Sequence, residues 1–172
     1  MKVLVVVDLQ NDFIDGALGT QEAREIVSRV KEKIDKYLEA GDRVIFTQDT
    51  HGDGYLQTQE GQKLPVEHCI RGTRGWEIAQ KVQVKGCPVV EKPTFGSLEL
   101  AEMIAGLGEV QSIELVGIAT DICVISNALI LKAKLPEVLI TVDASCCAGI
   151  TPQSHENALA AMKMCQIEIT GS

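Results

Sequence analysis

The chain has 172 residues, and its 16 lysines and arginines against 24 aspartates and glutamates give a net charge of −8. The length predicts one domain over residues 1–172, and an apolar content of 45% excludes disorder over most of the chain. The acidic balance makes the protein a poor partner for nucleic acid or an anionic membrane, and we expect it to bind neither.

Strands and helices are predicted to alternate along the chain. Strands are predicted at 3–7, 43–47, 88–91, 112–116, 137–142 and 166–169. Helices are predicted at 20–40, 75–81, 97–107, 121–134 and 152–164. The first strand is a continuous aliphatic run, which is typical of a strand buried on both faces of a parallel sheet. The alternation therefore predicts a three-layer α/β/α Rossmann-like fold around a mostly parallel six-stranded sheet.

Polar residues follow several predicted strands directly. In an open parallel sheet the ligand lies beyond the carboxyl ends of the strands, so these residues are candidates for a site. Asp8 comes straight after the first strand, where a carboxylate needs a partner or a shifted pKa. A turn-capping role is an equally good explanation for Asp8, and by itself Lys92 at the end of the third strand reads as a solvated lysine.

The glycine-rich stretch 48–75 has no clear period, and a loop of this length in a compact domain is usually functional. Within it, Asp49 and His51 lie two residues apart, on one side of an extended segment, and His68 follows later. An aspartate with two histidines can bind a divalent metal and leave coordination positions open. Polar loop residues bonded to water explain this spacing equally well. His155, in the last predicted helix, is expected at the surface.

Cys123 lies just after a strand, a small-residue turn and the start of a helix with Thr120 or Asp121 as its N-cap. In that first turn the helix dipole is expected to lower the pKa of the thiol, and free N–H groups could hold an oxyanion. An inert buried cysteine is the alternative, and it suits Cys87, Cys146, Cys147 and Cys165 better.

The six cysteines contain no C-x-x-C pair, which argues against a zinc ribbon or a thioredoxin-type motif. We also find no apolar run long enough for a signal peptide or for the ~20 residues of a membrane span. These features predict free thiols and a cytoplasmic location.

Three segments in order resemble the isochorismatase-like cysteine hydrolase superfamily, and nicotinamidases within it. They are 5–13, which contains Asp8, 90–97, which contains Lys92, and 117–124, which contains Cys123 and is the most specific match. The stretch 142–144 is also similar to the family, and the resemblance covers nearly the whole chain.

The resemblance implies a triad in which Cys123 is the nucleophile, Asp8 takes its proton, and Lys92 stabilises the thiolate. It also implies a cis peptide bond between Ile118 and Ala119, and an oxyanion hole formed by the N–H groups of Ala119 and Cys123. A primary amide would then be hydrolysed through a thioester, with release of ammonia.

In nicotinamidases a metal holds the ring nitrogen of the substrate, and the resemblance assigns its ligands here to Asp49, His51 and His68. Many of these enzymes have a further histidine, where this loop instead offers Glu60 as a fourth ligand, with Asp53 as another candidate. Zinc is the expected cofactor, and iron or manganese would also suit these ligands.

The substrate pocket departs from the family pattern at Leu64, where the family has a tryptophan in the corresponding segment. The change removes an aromatic wall, and Trp76 is a candidate to supply aromatic surface in its place. Phe13, Leu64 and Phe95 are expected to line the pocket.

Hydrolysis of nicotinamide to nicotinate is the leading hypothesis, with a small amide as substrate and a homo-oligomer as the expected assembly. Another small amide, a carbamoyl or ureido compound, or a vinyl ether of the isochorismate type are alternative substrates. A non-catalytic binding module on the same fold is an alternative of a different class.

Overall fold

A computed structural model describes residues 1–171, in which six strands form one sheet in the order β3-β2-β1-β4-β5-β6. The strands are β1 (Lys2–Val7), β2 (Arg43–Asp49), β3 (Val89–Lys92), β4 (Ser112–Ile118), β5 (Leu139–Ala148) and β6 (Glu168–Thr170). Every neighbouring pair is parallel, so the predicted α/β fold with a parallel six-stranded sheet is confirmed.

The helices are α1 (Asn11–Ile14), α2 (Gln21–Glu39), α3 (Gln59–Lys63), α4 (Leu98–Ala105), α5 (Ile125–Lys134) and α6 (Pro152–Met164). Two shorter turns accompany them, a 3₁₀ turn at Tyr55–Gln57 and a π-helical turn at Thr120–Val124. α6 has the predicted bounds. No helix within residues 1–171 is long and apolar enough to cross a membrane.

The helix predicted at 75–81 is wrong, since this stretch forms turns. Apart from a few turn bonds, its backbone bonds to the segment after β1 and forms no helical ladder. The Asp12 N–H donates to the Gly75 carbonyl at 3.0 Å, and the Ala79 N–H donates to the Leu9 carbonyl at 2.8 Å. Long-range pairing of this kind leaves no periodic signal in the sequence.

β5 extends well beyond the predicted end at 142. Asp143, which directly follows the predicted end, lies within the strand, and Lys33 on α2 pairs with its carboxylate at 2.6 Å. A charged residue with such a partner does not terminate a buried strand.

The apolar core lies on both faces of the sheet. In β1, Val3, Val5 and Val7 pack on one face with residues of α4 and α5, whereas Leu4 and Val6 pack on the other with residues of α2. All five side chains are fully buried, which explains the unbroken aliphatic run. The chain is therefore arranged in three layers, as predicted.

The carboxyl ends of β3, β2, β1 and β4 lie side by side along one edge of the sheet. The register places Asp49 beside Lys92, and Val7 beside Gly117. Gly117 has φ +123°, and a Cβ atom there would overlap the Val7 carbonyl oxygen. A glycine is thus required for β4 to approach β1 closely enough to bring their ends together.

Candidate active site

Asp8, Lys92 and Cys123 meet at this edge of the sheet, where all three are buried. The Lys92 ammonium lies 2.6 Å from Asp8 Oδ2 and 3.5 Å from Cys123 Sγ. It also donates to the Thr94 carbonyl at 3.1 Å, which fixes its direction. The structure thus brings together an acid, a cation and a thiol that are far apart in the sequence.

The Asp8 carboxylate is held in a fixed orientation. The Thr47 hydroxyl donates to Asp8 Oδ1 at 2.6 Å, and the Asp8 N–H donates back to Thr47 Oγ1 at 3.2 Å. Asp8 has φ +47°, a left-handed conformation that costs on the order of 1 kcal/mol and is concentrated at functional sites. Burial raises the pKa of Asp8, and the opposing effect of Lys92 is smaller. The group is therefore suited to accept a proton.

Charge pairing decides the protonation state of Lys92. Burial alone would lower the pKa of the ammonium, but the negative charges of Asp8 and Asp49 act against burial, and the pKa is raised. Lys92 therefore stays cationic, and it is the positive charge that can balance a thiolate at Cys123.

The expectation of a lowered pKa for Cys123 is wrong. Burial raises the pKa of the thiol well above its ordinary value, and the neighbouring Asp8 carboxylate raises it further. Lys92 acts in the opposite direction but with a smaller effect. Cys123 therefore rests as a thiol, and it needs a proton acceptor before it can act as a nucleophile.

The N-cap prediction for this helix is also wrong. The turn that carries Cys123 begins at Ala119, and no side chain caps it. Thr120 instead bonds to His155, at 2.8 Å between Oγ1 and Nδ1, so His155 is half-buried rather than at the surface. The peptide bond between Ile118 and Ala119 is cis, as the resemblance implies.

Asn127, a residue that the sequence analysis did not select, fixes the backbone around Cys123. Its amide donates to the Cys123 carbonyl at 2.8 Å and to the Phe95 carbonyl at 3.2 Å. Its oxygen accepts from the Ser97 N–H at 3.0 Å. A polar residue at a helix position facing the core was the signal that could have identified it.

Gln10, which the sequence analysis also did not select, fixes the backbone at Asp49. Its fully buried amide donates to the carbonyls of Asp49 and Trp76, each at 2.8 Å, and accepts from the Asp49 N–H at 2.7 Å. A glutamine three residues after a buried strand could have indicated this role.

A second cluster lies beside the first. Asp49, His51, Glu60 and His68 each offer one ligand atom, and these atoms all lie within 4.8 Å of one another. Asp49 Oδ2 is 3.0 Å from His51 Nε2 and 3.7 Å from His68 Nε2. Asp53, the other candidate for a fourth ligand, is exposed and is not part of the cluster.

The donor set of the cluster fits a divalent metal. Two imidazole nitrogens and two carboxylate oxygens are ligands that zinc accepts. His68 donates from Nδ1 to the Val66 carbonyl at 2.8 Å, which directs Nε2 toward the cluster in the way that outer partners orient metal-binding histidines. Burial alone would raise the pKa of Asp49, but its bonds with His51 and His68 outweigh burial and lower it, so the carboxylate stays ionised.

A cavity of about 290 Å³ opens between the two clusters. Its lining includes Cys123 and Ala119 as well as Asp49 and His68 of the second cluster. The remaining lining residues are Phe13, Leu18, Thr20, Glu60, Leu64, Phe95, Ile118, Ile122, Gly149 and Ile150. The predicted pocket residues are therefore all present.

Trp76 does not replace the missing aromatic wall. Its indole N–H donates to Thr50 Oγ1 at 2.8 Å, and the residue lines a separate cavity. Leu64 is 38% exposed and lines the cavity beside Cys123, whereas Trp76 does not line that cavity.

Comparison with known proteins gives consistent results. A family model described as the Isochorismatase domain matches residues 2–172. The nicotinamidase/pyrazinamidase of Mycobacterium tuberculosis is 27% identical over 193 residues, which cover 100% of both chains. The crystal structure of Pyrococcus horikoshii pyrazinamidase in complex with zinc superposes with a TM-score of 0.87 at 29% identity, covering 99% of both chains. The N-carbamoylsarcosine amidase of Thermoplasma acidophilum superposes with a TM-score of 0.78 at 25% identity, covering 99% of this chain and 96% of that one.

Proposed function

The chain belongs to the isochorismatase family, and on that basis we propose that it is a cysteine amidohydrolase that converts nicotinamide to nicotinate and ammonia. The observation that carries the proposal is the contact of Lys92 with both Asp8 and Cys123 at the wall of an apolar cavity. A buried acid, cation and thiol in contact supply a base, a counter-charge and a nucleophile.

In the first half of the reaction, Asp8 takes the proton from Cys123, and Sγ attacks the amide carbonyl carbon. The N–H groups of Ala119 and Cys123 stabilise the oxyanion that forms. The carbon–nitrogen bond then breaks, and Asp8 returns the proton to the leaving nitrogen, which departs as ammonia.

In the second half, water attacks the thioester while Asp8 takes one of its protons. The carbon–sulfur bond breaks, the acid leaves, and the proton returns to the Cys123 sulfur. Lys92 stays cationic throughout and balances the negative charge that passes between Asp8 and Cys123.

Asp49, His51, Glu60 and His68 would hold a divalent metal, for which zinc is our proposal. Such an ion supplies a Lewis acid that can anchor an uncharged ring nitrogen. Asp49, Glu60 and His68 line the same cavity as Cys123, so a flat heteroaromatic amide bound there could reach both the metal ligands and the thiol.

The lining of the cavity favours this substrate over carbamoylated amino acids. None of the residues that line it is an arginine or a lysine, so no guanidinium or ammonium group is placed there to pair with a substrate carboxylate. Phe13, Leu64, Phe95 and Ile122 instead offer apolar contact to an uncharged ring.

Ammonia release from nicotinamide, before and after chelation and again after return of zinc, tests the proposal. Loss on chelation with recovery on zinc return is expected. Cys123→Ala should abolish the activity, and Cys165→Ala, at an exposed thiol, should leave it unchanged. No ammonia from metal-replete protein would overturn nicotinamide as the substrate, and activity in Cys123→Ala would overturn the mechanism.

A further inference from the structure

The segment from the end of β5 through the first turn of α6 (149–155) is attached to the turn that carries Cys123, which we call the nucleophile turn (119–123). Thr120 Oγ1 and His155 Nδ1 share a hydrogen bond of 2.8 Å. The Ile150 N–H donates to the two oxygens of the Asp121 carboxylate, at 3.2 and 3.3 Å. Two consecutive residues of the turn are thus bonded to one neighbouring segment.

The Thr120 hydroxyl is fully buried, and its hydrogen bond connects it to His155 on α6. Thr120 is 0% exposed, and within residues 1–171 its hydroxyl bonds to no other side chain. Loss of His155 would leave that hydroxyl without a side-chain partner, and a buried polar group in this state tends to move until it finds one.

His155 itself is firmly placed. It lies on the first turn of α6, where Thr151 and Ser154 cap the helix through reciprocal bonds. Gly149 packs against it so closely that an added Cβ would come within 2.8 Å of the His155 Cβ. The capped start of α6 therefore fixes the position of the His155 imidazole. Through its hydrogen bond, the imidazole in turn fixes the position of the Thr120 side chain.

The same segment also forms part of the cavity wall. Gly149 and Ile150 line the cavity together with Ala119 and Cys123. The attachment is thus made to the turn that carries the two N–H groups proposed for the oxyanion hole.

We propose that His155 is a positioning residue that, through Thr120, holds the N–H groups of Ala119 and Cys123 where the reacting carbonyl oxygen develops its charge. This inference rests on the proposed function. An oxyanion hole acts mainly in the transition state, so a displaced turn should lower kcat and leave KM nearly unchanged.

The test compares His155→Ala with His155→Asn, whose side-chain amide places a polar atom near the position of Nδ1. Gln153→Ala, an exposed change on the same helix turn, is the control. Two reactions are measured: hydrolysis of nicotinamide, and the burst of nitrophenolate when Cys123 is acylated by p-nitrophenyl acetate. The burst amplitude counts active sites, so rates are expressed per functional thiol.

We expect His155→Ala to lower kcat and the burst rate per site by about 10–100-fold, below the roughly 10²–10³-fold cost of removing an oxyanion donor outright. KM should stay within about twofold, His155→Asn should recover most of the loss, and Gln153→Ala should match the unaltered protein. Rates per site that do not change in His155→Ala, a change confined to KM, or no recovery in His155→Asn would overturn the proposal.

The reaction with p-nitrophenyl acetate allows the role of His155 to be tested independently of whether nicotinamide is the substrate. If the unaltered protein shows a burst but does not hydrolyse nicotinamide, the substrate proposal fails, and the burst rates alone decide the role of His155. If the unaltered protein shows neither reaction, both proposals are overturned.

Discussion

Lys92 Nζ lies 3.4 Å from Asp49 Oδ1, and the other oxygen of Asp49 lies 3.0 Å from His51 Nε2. One carboxylate therefore connects the ammonium beside Cys123 with the rest of the proposed metal-ligand cluster (Asp49, His51, Glu60 and His68). A change in charge at Lys92 therefore alters the electrostatic potential at His51, and the reverse, through the Asp49 carboxylate. This coupling is strong because Asp49 is buried and poorly screened by water.

The metal-ligand cluster predicts that substitutions at two residues of one loop will differ sharply in their effect on zinc binding. His51→Ala should weaken zinc binding by more than the roughly 10–100-fold that loss of an outer partner costs, because it removes a direct ligand. Asp53→Ala, at an exposed position outside the cluster, should bind zinc normally. Zinc content after dialysis against a competing chelator is the measurement, and equal content in the two variants would contradict the assignment.

Replacing the proposed base should make the Cys123 thiol easier to ionise and should nevertheless slow turnover. Burial and the Asp8 carboxylate both raise the pKa of Cys123, so Asp8→Asn should lower that pKa. Amide hydrolysis should nevertheless fall at least about 100-fold, because no group then accepts the thiol proton.

The rate of Cys123 alkylation by iodoacetamide as a function of pH, in zinc-free protein, reports this thiol pKa. Peptide mass analysis assigns the label, and exposed Cys165 is the internal reference. A midpoint that stays in place or rises in Asp8→Asn would show that the carboxylate does not act on the thiol.

Lys92 should be essential for stability as well as activity. Lys92→Met removes the cation between two buried carboxylates, and breaking a buried pair in this way costs about 3–5 kcal/mol of unfolding free energy. Lys134→Met breaks a half-exposed pair with Glu102 and should cost less than about 1 kcal/mol.

Urea unfolding of chelated protein measures both changes. The double variant Asp8→Asn with Lys92→Met should recover part of the loss, because one uncompensated charge is gone. A double variant that is no more stable than Lys92→Met alone would contradict the proposed charge balance.

Gly117→Ala should prevent normal folding. A Cβ at this position would overlap the Val7 carbonyl oxygen, so β1 and β4 would have to separate. Gly108→Ala is the matched control, since Gly108 also has a positive φ, +89°, but faces open space. The control should lose only about 1–2 kcal/mol through backbone conformation, and soluble yield with thermal unfolding should separate the two variants clearly.

The ion pair of Asp143 predicts part of the acid sensitivity of the fold. Burial alone would raise the pKa of Asp143, but bonds from Lys33 and Ser145 outweigh burial and lower it. A lowered folded-state pKa stabilises the protein above the unfolded value of about 3.9, and this stabilisation is lost as the pH falls through the folded-state pKa.

Unfolding by urea at a series of pH values between neutrality and acid tests this effect. Asp143→Asn should lose less stability on acidification than the unaltered protein does. Asp35→Asn, which removes a half-exposed pair with Lys31, should follow the unaltered protein. Parallel curves for the unaltered protein and Asp143→Asn would contradict the lowered pKa.

The fold and the position of the site were predictable because both depend on local patterns. The aliphatic run of β1 and the spacing of apolar residues in α2 specify a buried strand and an amphipathic helix, whatever lies elsewhere in the chain. Once the strands are parallel, Asp8, Lys92 and Cys123 must emerge at the same edge of the sheet. Sequence reasoning failed at 75–81, where the backbone bonds to residues far away in the chain.

What the sequence alone determined was therefore the order of the elements, the edge of the sheet at which the polar residues emerge, and the family resemblance. What only the tertiary structure decided was how those residues act on one another. The pKa of Cys123, the inclusion of Glu60 and not Asp53 in the metal-ligand cluster, and the bond between His155 and Thr120 depend on burial and on distances between segments far apart in the chain. Such distances leave no local pattern to read, because burial and electrostatic coupling arise only when the segments have packed together.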